Sequence, residues 1–83
     1  MSLNRLDIIF TDKKVQNRIL AKHFEKSEGT ISKWRNNKRQ PSLEELKEIA
    51  KLLRINIKEL INDTDWSEET SDTYEDLKSK HRL

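Results

Sequence analysis

The sequence contains no cysteine, one glycine and one proline. Without cysteine there is no disulfide, no thiol nucleophile and no cysteine-ligated zinc site. The shortage of glycine and proline argues against an all-β fold, because tight hairpins depend on those residues. The longest apolar runs are three residues, whereas a membrane-spanning helix needs roughly 20. The first residues also lack the apolar stretch of a secretory signal.

Charged residues are abundant instead, at 39% of the chain against 33% hydrophobic. The total of 83 residues is enough for one domain. The net charge of +2 conceals an uneven distribution. Residues 1–62 hold 14 Lys and Arg against 8 Asp and Glu, whereas residues 63–83 hold 3 against 7. We therefore predict a basic domain over 1–62 and an acidic polar tail over 63–83, disordered or with one weak helix.

Apolar residues recur at helical spacing in five places within the first 62 residues. The sets are Leu3, Leu6, Ile9 and Phe10; Ile19, Leu20 and Phe24; Ile31 and Trp34; Leu43, Leu46, Ala50, Leu53 and Ile57; and Leu60 and Ile61. Asn17 and Ser27 are placed to cap the second and third helices, and Ser42 with Glu45 forms a capping box for the fourth. Five short helices with short connectors predict a compact all-α domain.

The second and third helices are separated by about three residues, which is the spacing of a helix-turn-helix. This part of the chain reads NRILAKHFEKSEGTISKW and is followed by RNNKRQPSL. Residues 4–62 resemble the lambda-repressor-like domain of phage repressors, Cro and Xre-type regulators. The resemblance implies a five-helix fold with the helix-turn-helix in helices 2 and 3. Each short motif is weakly specific, but their order is strongly specific.

The resemblance also implies roles for the exposed residues. The recognition helix covers about 28–36 and lies in the major groove, with its N-terminal end at the base edges. Asn17 takes the family's phosphate-binding position. Candidates for base reading are Glu28, Gly29, Thr30, Ser32 and Lys33. Candidates for phosphate contact are Asn17, Arg18, Lys26, Ser27, Arg35, Asn36, Lys38 and Arg39.

The charges near this helix agree with those roles. Residues 13–39 contain nine Lys and Arg and two Glu. A charge run is usually only a solvated helix face, but here it brackets the predicted recognition helix. Glu28 can accept a hydrogen bond from cytosine N4, and Lys33 can donate to guanine. Both are otherwise ordinary exposed helix charges.

Three residues depart from the family pattern. Glu25 stands at the turn position where glycine is usual, so either it is left-handed and strained or the turn differs. Lys26 replaces an aliphatic residue, and its stem can pack while its charge reaches solvent or phosphate. Gly29 weakens the third helix by up to ~1 kcal/mol relative to alanine. Its lack of a side chain either allows close approach to DNA or means that the position is not read.

The sequence does not predict an enzyme or a cofactor. His23 and His81 are the only histidines, and no spacing of residues suggests a metal site. A single histidine cannot supply a nucleophile, a base and an orienting group. The chain also has no glycine-rich phosphate loop.

The function predicted from these features is sequence-specific binding of double-stranded DNA by a small bacterial or phage-type regulator, a repressor by resemblance. Such proteins bind two-fold symmetric sites as dimers, and we expect a cytoplasmic, nucleoid-associated protein without a membrane partner. An antitoxin whose tail binds its toxin, or a helical adaptor without DNA binding, is an alternative. The tail with Trp66 and Tyr74 is a solvated linker, a docking segment or a competitor of DNA for the basic face.

Overall fold

The computed structural model describes residues 2–68 and 70–81. Five α-helices and one 3-10 helix follow each other along the chain. They are α1 (Leu6–Asp12), α2 (Asn17–Phe24), α3 (Glu28–Arg35), α4 (Leu43–Leu53), the 3-10 helix (Ile57–Leu60) and α5 (Tyr74–Lys80). The prediction of an all-α fold is confirmed within these residues, with one isolated bridge between Asn4 and Ile61.

A single apolar core joins α1 to α4 and the 3-10 helix. Its buried members are Leu6, Phe10, Leu20, Ala21, Ile31, Trp34, Ile49, Ala50 and Leu60. The largest of them, Trp34, is 1% exposed. Ile9, Val15, Phe24, Leu46, Leu53, Ile55 and Ile57 pack against this core while remaining partly exposed. Each helix therefore contributes one apolar stripe, as the spacing of these residues predicts.

The helix boundaries follow local hydrogen bonds. Ser42 and Glu45 form the predicted capping box at the start of α4. The Oγ atom of Ser27 accepts from the Thr30 amide and caps α3. Arg54 ends α4 in the left-handed conformation, so the chain leaves the helix there and enters the 3-10 helix. The predicted caps at Ser27 and Ser42 are confirmed.

The N-terminal segment before α1, residues 2–5, connects the two ends of the domain through the bridge between Asn4 and Ile61. The amide of Arg5 donates to the Leu60 carbonyl at 2.8 Å, and the Asn62 amide donates to the Leu3 carbonyl at 2.9 Å. Leu3 is therefore extended and 52% exposed, and its predicted place on the first helix was wrong. The backbone pairing takes precedence over the i, i+3 spacing that Leu3 shares with Leu6.

Three further helix predictions require correction. Ile19 is 57% exposed because α2 buries the stripe of Leu20 and Ala21, and Ile19 lies on the opposite side of that helix. Leu43 is 72% exposed because it occupies the first turn of α4, ahead of the core contacts. The predicted fifth helix over 58–61 is the 3-10 helix, and Ile61 lies beyond it in the bridge.

The tail contains α5, which begins with a capping box between Thr73 and Asp76. No residue of α5 is buried, and Tyr74 is 74% exposed. Lys80 pairs with Asp72 across the helix. No helix in the described part of the chain has the length and apolar character needed to cross a membrane.

Candidate nucleic-acid interface

The turn between α2 and α3 has a left-handed residue at Glu25. Its φ is 56° and its ψ is 45°. This conformation lets the Lys26 amide donate to the Ala21 carbonyl at 2.9 Å, which closes the end of α2. Glu25 thus adopts the backbone shape for which glycine is the usual residue, at the cost of some strain. The sequence left open whether Glu25 is left-handed and strained or the turn differs, and the structure shows the left-handed conformation.

The angle between α2 and α3 is maintained by apolar packing. Ala21 is 4% exposed, and its small side chain permits the close crossing. Phe24 meets Trp34 edge to face, with ring centroids 5.6 Å apart and planes at 78°. Such a contact adds about 0.5–1.5 kcal/mol to the burial of the rings. The packing leaves the opposite side of α3 facing outward.

The outward side of α3 carries the predicted base-reading residues. Glu28, Gly29 and Lys33 are exposed, whereas Thr30 and Ser32 are half-buried. A Cβ built on Gly29 would meet only the Ser27 Oγ atom, at 3.7 Å. The space at Gly29 therefore lies outside the protein.

Ser27 and Thr30 are partly engaged within the turn. The Oγ of Ser27 accepts from the Thr30 amide at 3.1 Å and lies 3.0 Å from the Thr30 hydroxyl. The Ser27 hydroxyl is exposed, so capping and contact with a ligand are compatible. The cap fixes the start of α3 and with it the position of Glu28.

Arg35 at the end of α3 does not project freely from the surface. Its Nε donates to Asp7 Oδ1 at 2.9 Å, its Nη1 to Asn17 Oδ1 at 2.9 Å, and its Nη2 to Thr11 Oγ1 at 3.0 Å. The guanidinium carbon lies 5.5 Å from the centroid of the Phe10 ring. The side chain is 19% exposed. The structure therefore places this predicted phosphate contact among α1, α2 and α3.

Asn17 is the first residue of α2 and not its cap. The cap position is Gln16, whose side chain makes no capping hydrogen bond but accepts from Arg18 Nε at 3.0 Å. The predicted capping role of Asn17 was wrong, because its carbonyl oxygen binds Arg35 instead. Asn17 is half-buried and Arg18 is exposed at this end of α2.

At the other end of α2, two basic side chains turn toward α4. Lys26 Nζ lies 3.5 Å from Glu45 Oε2, and His23 Nε2 lies 2.9 Å from Glu48 Oε2. Partial burial acts to raise the pKa of Glu45, but the hydrogen bonds from Ser42 and the charge of Lys26 outweigh it. The pKa of Glu45 is consequently below its ordinary value. The structure thus brings Lys26, another predicted phosphate contact, to an acidic partner.

The loop after α3 is fixed by two asparagines. Asn37 is left-handed, with φ 59°, as predicted for this helix end. Its Oδ1 accepts from the amides of Leu3 and Asn4 at 2.9 and 2.8 Å. Asn4, in turn, donates from Nδ2 to the Trp34 carbonyl and to Gln40 Oε1, both at 2.8 Å. The loop carries Asn36, Lys38 and Arg39, all exposed.

Sequence reasoning missed Asn4. It is a buried polar residue, 4% exposed, and its side chain joins the N-terminal segment to the end of α3. No local pattern marks it as buried, because the two partners of its Nδ2 lie 30 and 36 positions away. Within residues 2–68 and 70–81, no group of three or more His, Asp or Glu side chains is arranged to hold a metal ion.

We group the predicted contact residues that remain exposed or half-buried, apart from the ion-paired Lys26 and Arg35, as one candidate surface. It consists of Asn17 and Arg18 at the start of α2, the outward side of α3, and Asn36, Lys38 and Arg39 in the following loop; we call it the α3 surface. Its free cations are Arg18, Lys33, Lys38 and Arg39, and its acidic residue is Glu28. A positively charged surface around one protruding helix has the shape and charge to bind a duplex groove and its phosphates.

Comparison with known proteins identifies the class. Residues 5–65 match the model of the Cro/C1-type HTH DNA-binding domain, and the chain belongs to this family. The solved structures include a candidate DNA-binding protein from Bacteroides fragilis with 47% sequence identity and a TM-score of 0.69. That similarity covers 75% of this chain and 100% of the other. Among curated proteins there is no match. The predicted family is confirmed, and with it a DNA-binding domain.

Proposed function

We propose that the protein is a sequence-specific regulator of transcription, acting as a repressor, whose α3 enters the major groove of double-stranded DNA. The observation that carries this proposal is the α3 surface, where Gly29 and Lys33 are exposed and Lys33 is one of four basic side chains without an acidic partner among the described residues. Glu28 and Lys33 read base edges, Glu28 as an acceptor from cytosine and Lys33 as a donor to guanine. Thr30 and Ser32 are at the edge of this contact.

Phosphate contacts come from the residues around α3. Arg18, Lys38 and Arg39 supply free charges, and Asn17, Ser27 and Asn36 supply neutral hydrogen-bond donors. The proposal does not include Lys26 and Arg35 among the phosphate contacts, because these side chains pair with Glu45 and Asp7. Phosphate contacts position the protein but carry little sequence information.

The proposal includes a dimer on a two-fold symmetric site. One α3 surface presents few base-reading side chains, and a single short helix specifies only a few base pairs. Two copies bound about one helical turn apart would double the sequence that is read.

Selection of bound duplexes from a random DNA pool, sequenced at two salt concentrations, tests the proposal. Recovery of an inverted repeat supports it and provides the operator. Enrichment without a motif, lost at higher salt, shows only phosphate binding and contradicts base reading by Glu28 and Lys33. No enrichment at either salt contradicts DNA regulation and favours the adaptor alternative.

Variants of the α3 surface then separate the two kinds of contact. Lys33→Met should relax the preference at one base position and cost roughly 1–3 kcal/mol on the selected site. Lys38→Met should weaken binding to all duplexes and lower the salt slope by about 1. The same result for both variants would contradict the assignment of Lys33 to a base.

A further inference from the structure

Arg35 is the basic residue with the most side-chain partners in the described chain, and it binds three side chains on two other helices. An arginine that only contacted a solvent-exposed phosphate would not need these three partners, because its side chain offers five N–H donors without them. The network instead fixes the guanidinium between α1 and α2.

The hydrogen bond between Arg35 and Asn17 determines which end of the Asn17 amide is available to a ligand. A guanidinium has donors and no acceptor, so the Asn17 atom at 2.9 Å from Nη1 must be the carbonyl oxygen. With Oδ1 occupied, the Nδ2 group is the polar end that remains for a ligand. It donates to no other described residue, and Asn17 is half-buried at the edge of the α3 surface.

We propose that Arg35 is a positioning residue for DNA binding: it holds the Asn17 amide so that Nδ2 faces a DNA phosphate. This inference rests on the proposed function. Without Arg35, the amide could rotate and present Oδ1 to the phosphate, and two oxygen acceptors would then oppose each other. Arg35 also lies against Phe10, so its position is set before DNA arrives.

The surrounding charges agree with an indirect role. Asp7 Oδ1 lies 2.9 Å from Arg35 Nε and offsets its charge locally. Thr11 accepts from Nη2, so the bonds to Asp7, Asn17 and Thr11 use all three nitrogens of the side chain. Arg18, by contrast, is exposed and bonds only the neutral Gln16, which makes it the matched control for a direct phosphate contact.

The test uses the full chain and the duplex recovered by the selection described above. The variant is Asp7→Asn with Arg35→Met, which removes the donors, keeps an apolar stem beside Phe10 and leaves the local net charge unchanged. We expect about tenfold weaker binding, as for a lost charge-assisted contact, with the slope of log K against log salt unchanged. Arg18→Met should instead lower that slope by about 0.9.

A double-variant comparison identifies the path of the effect. If Arg35 acts through Asn17, adding Asn17→Ala to the Asp7→Asn/Arg35→Met protein should weaken binding no further. Multiplying losses, or a reduced salt slope in the Arg35 variant, would show direct contact with phosphate and overturn the inference. Wild-type affinity in the Arg35 variant would overturn it as well.

Asn17→Asp provides a test that does not depend on a weakened fold. Aspartate pairs with Arg35 and suits the first turn of α2, so thermal unfolding should occur at a higher temperature than in the wild type. Binding should nevertheless fall at least about tenfold, because a carboxylate cannot donate to phosphate and repels it. Wild-type affinity for this variant would contradict the positioning role. If the wild-type chain binds no duplex, both the inference and the proposed function are overturned. If the wild-type chain binds the duplex but the variants do not behave as expected, only the inference is overturned.

Discussion

At the scale of single residues, Asn4 has the most demanding environment. Its Oδ1 accepts from the Leu6 amide at 3.0 Å, and its Nδ2 serves the Trp34 carbonyl and Gln40. All the hydrogen-bonding atoms of this buried side chain therefore have partners, and no buried side-chain polar atom in the described residues lacks one. Loss of the amide would leave several of its partners unpaired in the interior.

We expect Asn4→Ala to lower the free energy of unfolding by about 2–4 kcal/mol, because buried donors and acceptors lose their partners. Urea unfolding followed by circular dichroism measures this loss. Asn36→Ala, at an exposed position close to the same loop, should change stability by less than about 0.5 kcal/mol. A loss below about 1 kcal/mol for Asn4→Ala would refute its role at this junction.

Gly29 shows a separate effect of one residue. Its backbone is helical without a positive φ, and a Cβ would make only an ordinary contact with Ser27 at 3.7 Å. Gly29→Ala should therefore stabilise the protein by up to about 1 kcal/mol, since alanine favours the helix. Thermal unfolding of the variant checks this, and a lower stability would contradict it. Because the fold tolerates the methyl group, any loss of DNA affinity in this variant would indicate contact at Gly29.

At the scale of helices, the residues at the helix ends determine where each helix begins and stops. Among the residues that the structure describes, four non-glycine residues have positive φ, and two of them, Glu25 and Arg54, end α2 and α4 in the left-handed conformation. Short helices of seven to eleven residues, such as α1 to α4, are marginal alone. Their caps and left-handed ends therefore define where each helix stops, and tertiary packing supplies the rest of their stability.

The start of α4 gives a pH-dependent prediction. The pKa of Glu45 in the folded protein is below the ordinary value of 4.5, through Ser42 and Lys26 despite partial burial. A lowered folded-state pKa adds stability above about pH 4.5, and this contribution disappears as the pH falls through the folded value. Glu45→Gln retains a capping-box residue but removes the charge.

We expect Glu45→Gln to be less stable than the wild type by about 0.5 kcal/mol at pH 7, with the difference shrinking as the pH falls below 4.5 and through the lowered folded-state pKa. Unfolding curves across this pH range measure it. Glu44→Gln removes a charge from the same turn without affecting Ser42 or Lys26, and is the matched control. A difference that persists unchanged at pH 3 would show that the ionised carboxylate is not responsible.

At the scale of the whole molecule, residues 1–62 and the tail differ both in net charge and in burial. Residues 63–83 carry a net charge of −4 against +6 for the preceding residues. The family match extends to residue 65, and Trp66 is 67% exposed beside an apolar cleft that Leu3 and Pro41 also line. No residue of the helix α5, which follows Trp66, is buried.

Deletion of residues 67–83 should leave the stability of the domain within about 0.5 kcal/mol of the full chain, because α5 contributes no buried residue to the core. Urea unfolding of a chain that ends at Trp66 tests this. DNA affinity should rise a few-fold at low salt, since the deletion removes net negative charge, and the gain should fade at high salt. A large loss of stability would place α5 in the folded domain.

Much of the fold was predictable from local sequence. The caps at Ser27 and Ser42 and the helix end at Asn37 depend on hydrogen bonds and backbone preferences within a few residues. Burial was predicted less well, because Leu3, Ile19 and Leu43 share helical spacing with core residues but remain exposed. Periodicity marks a helix face without showing whether another element covers it.

The sequence by itself determined the helices, the order of the motifs and the separation of charge, because each depends on residues that are close along the chain. Only the tertiary structure decided which basic side chains remain free. Arg35 is bound by residues 18 to 28 positions away, and Lys26 by a residue on α4. Because opposite charges and hydrogen-bond partners from distant segments meet only in the folded protein, composition alone counts all four of Lys26, Arg35, Lys38 and Arg39 alike. The fold leaves the last two exposed.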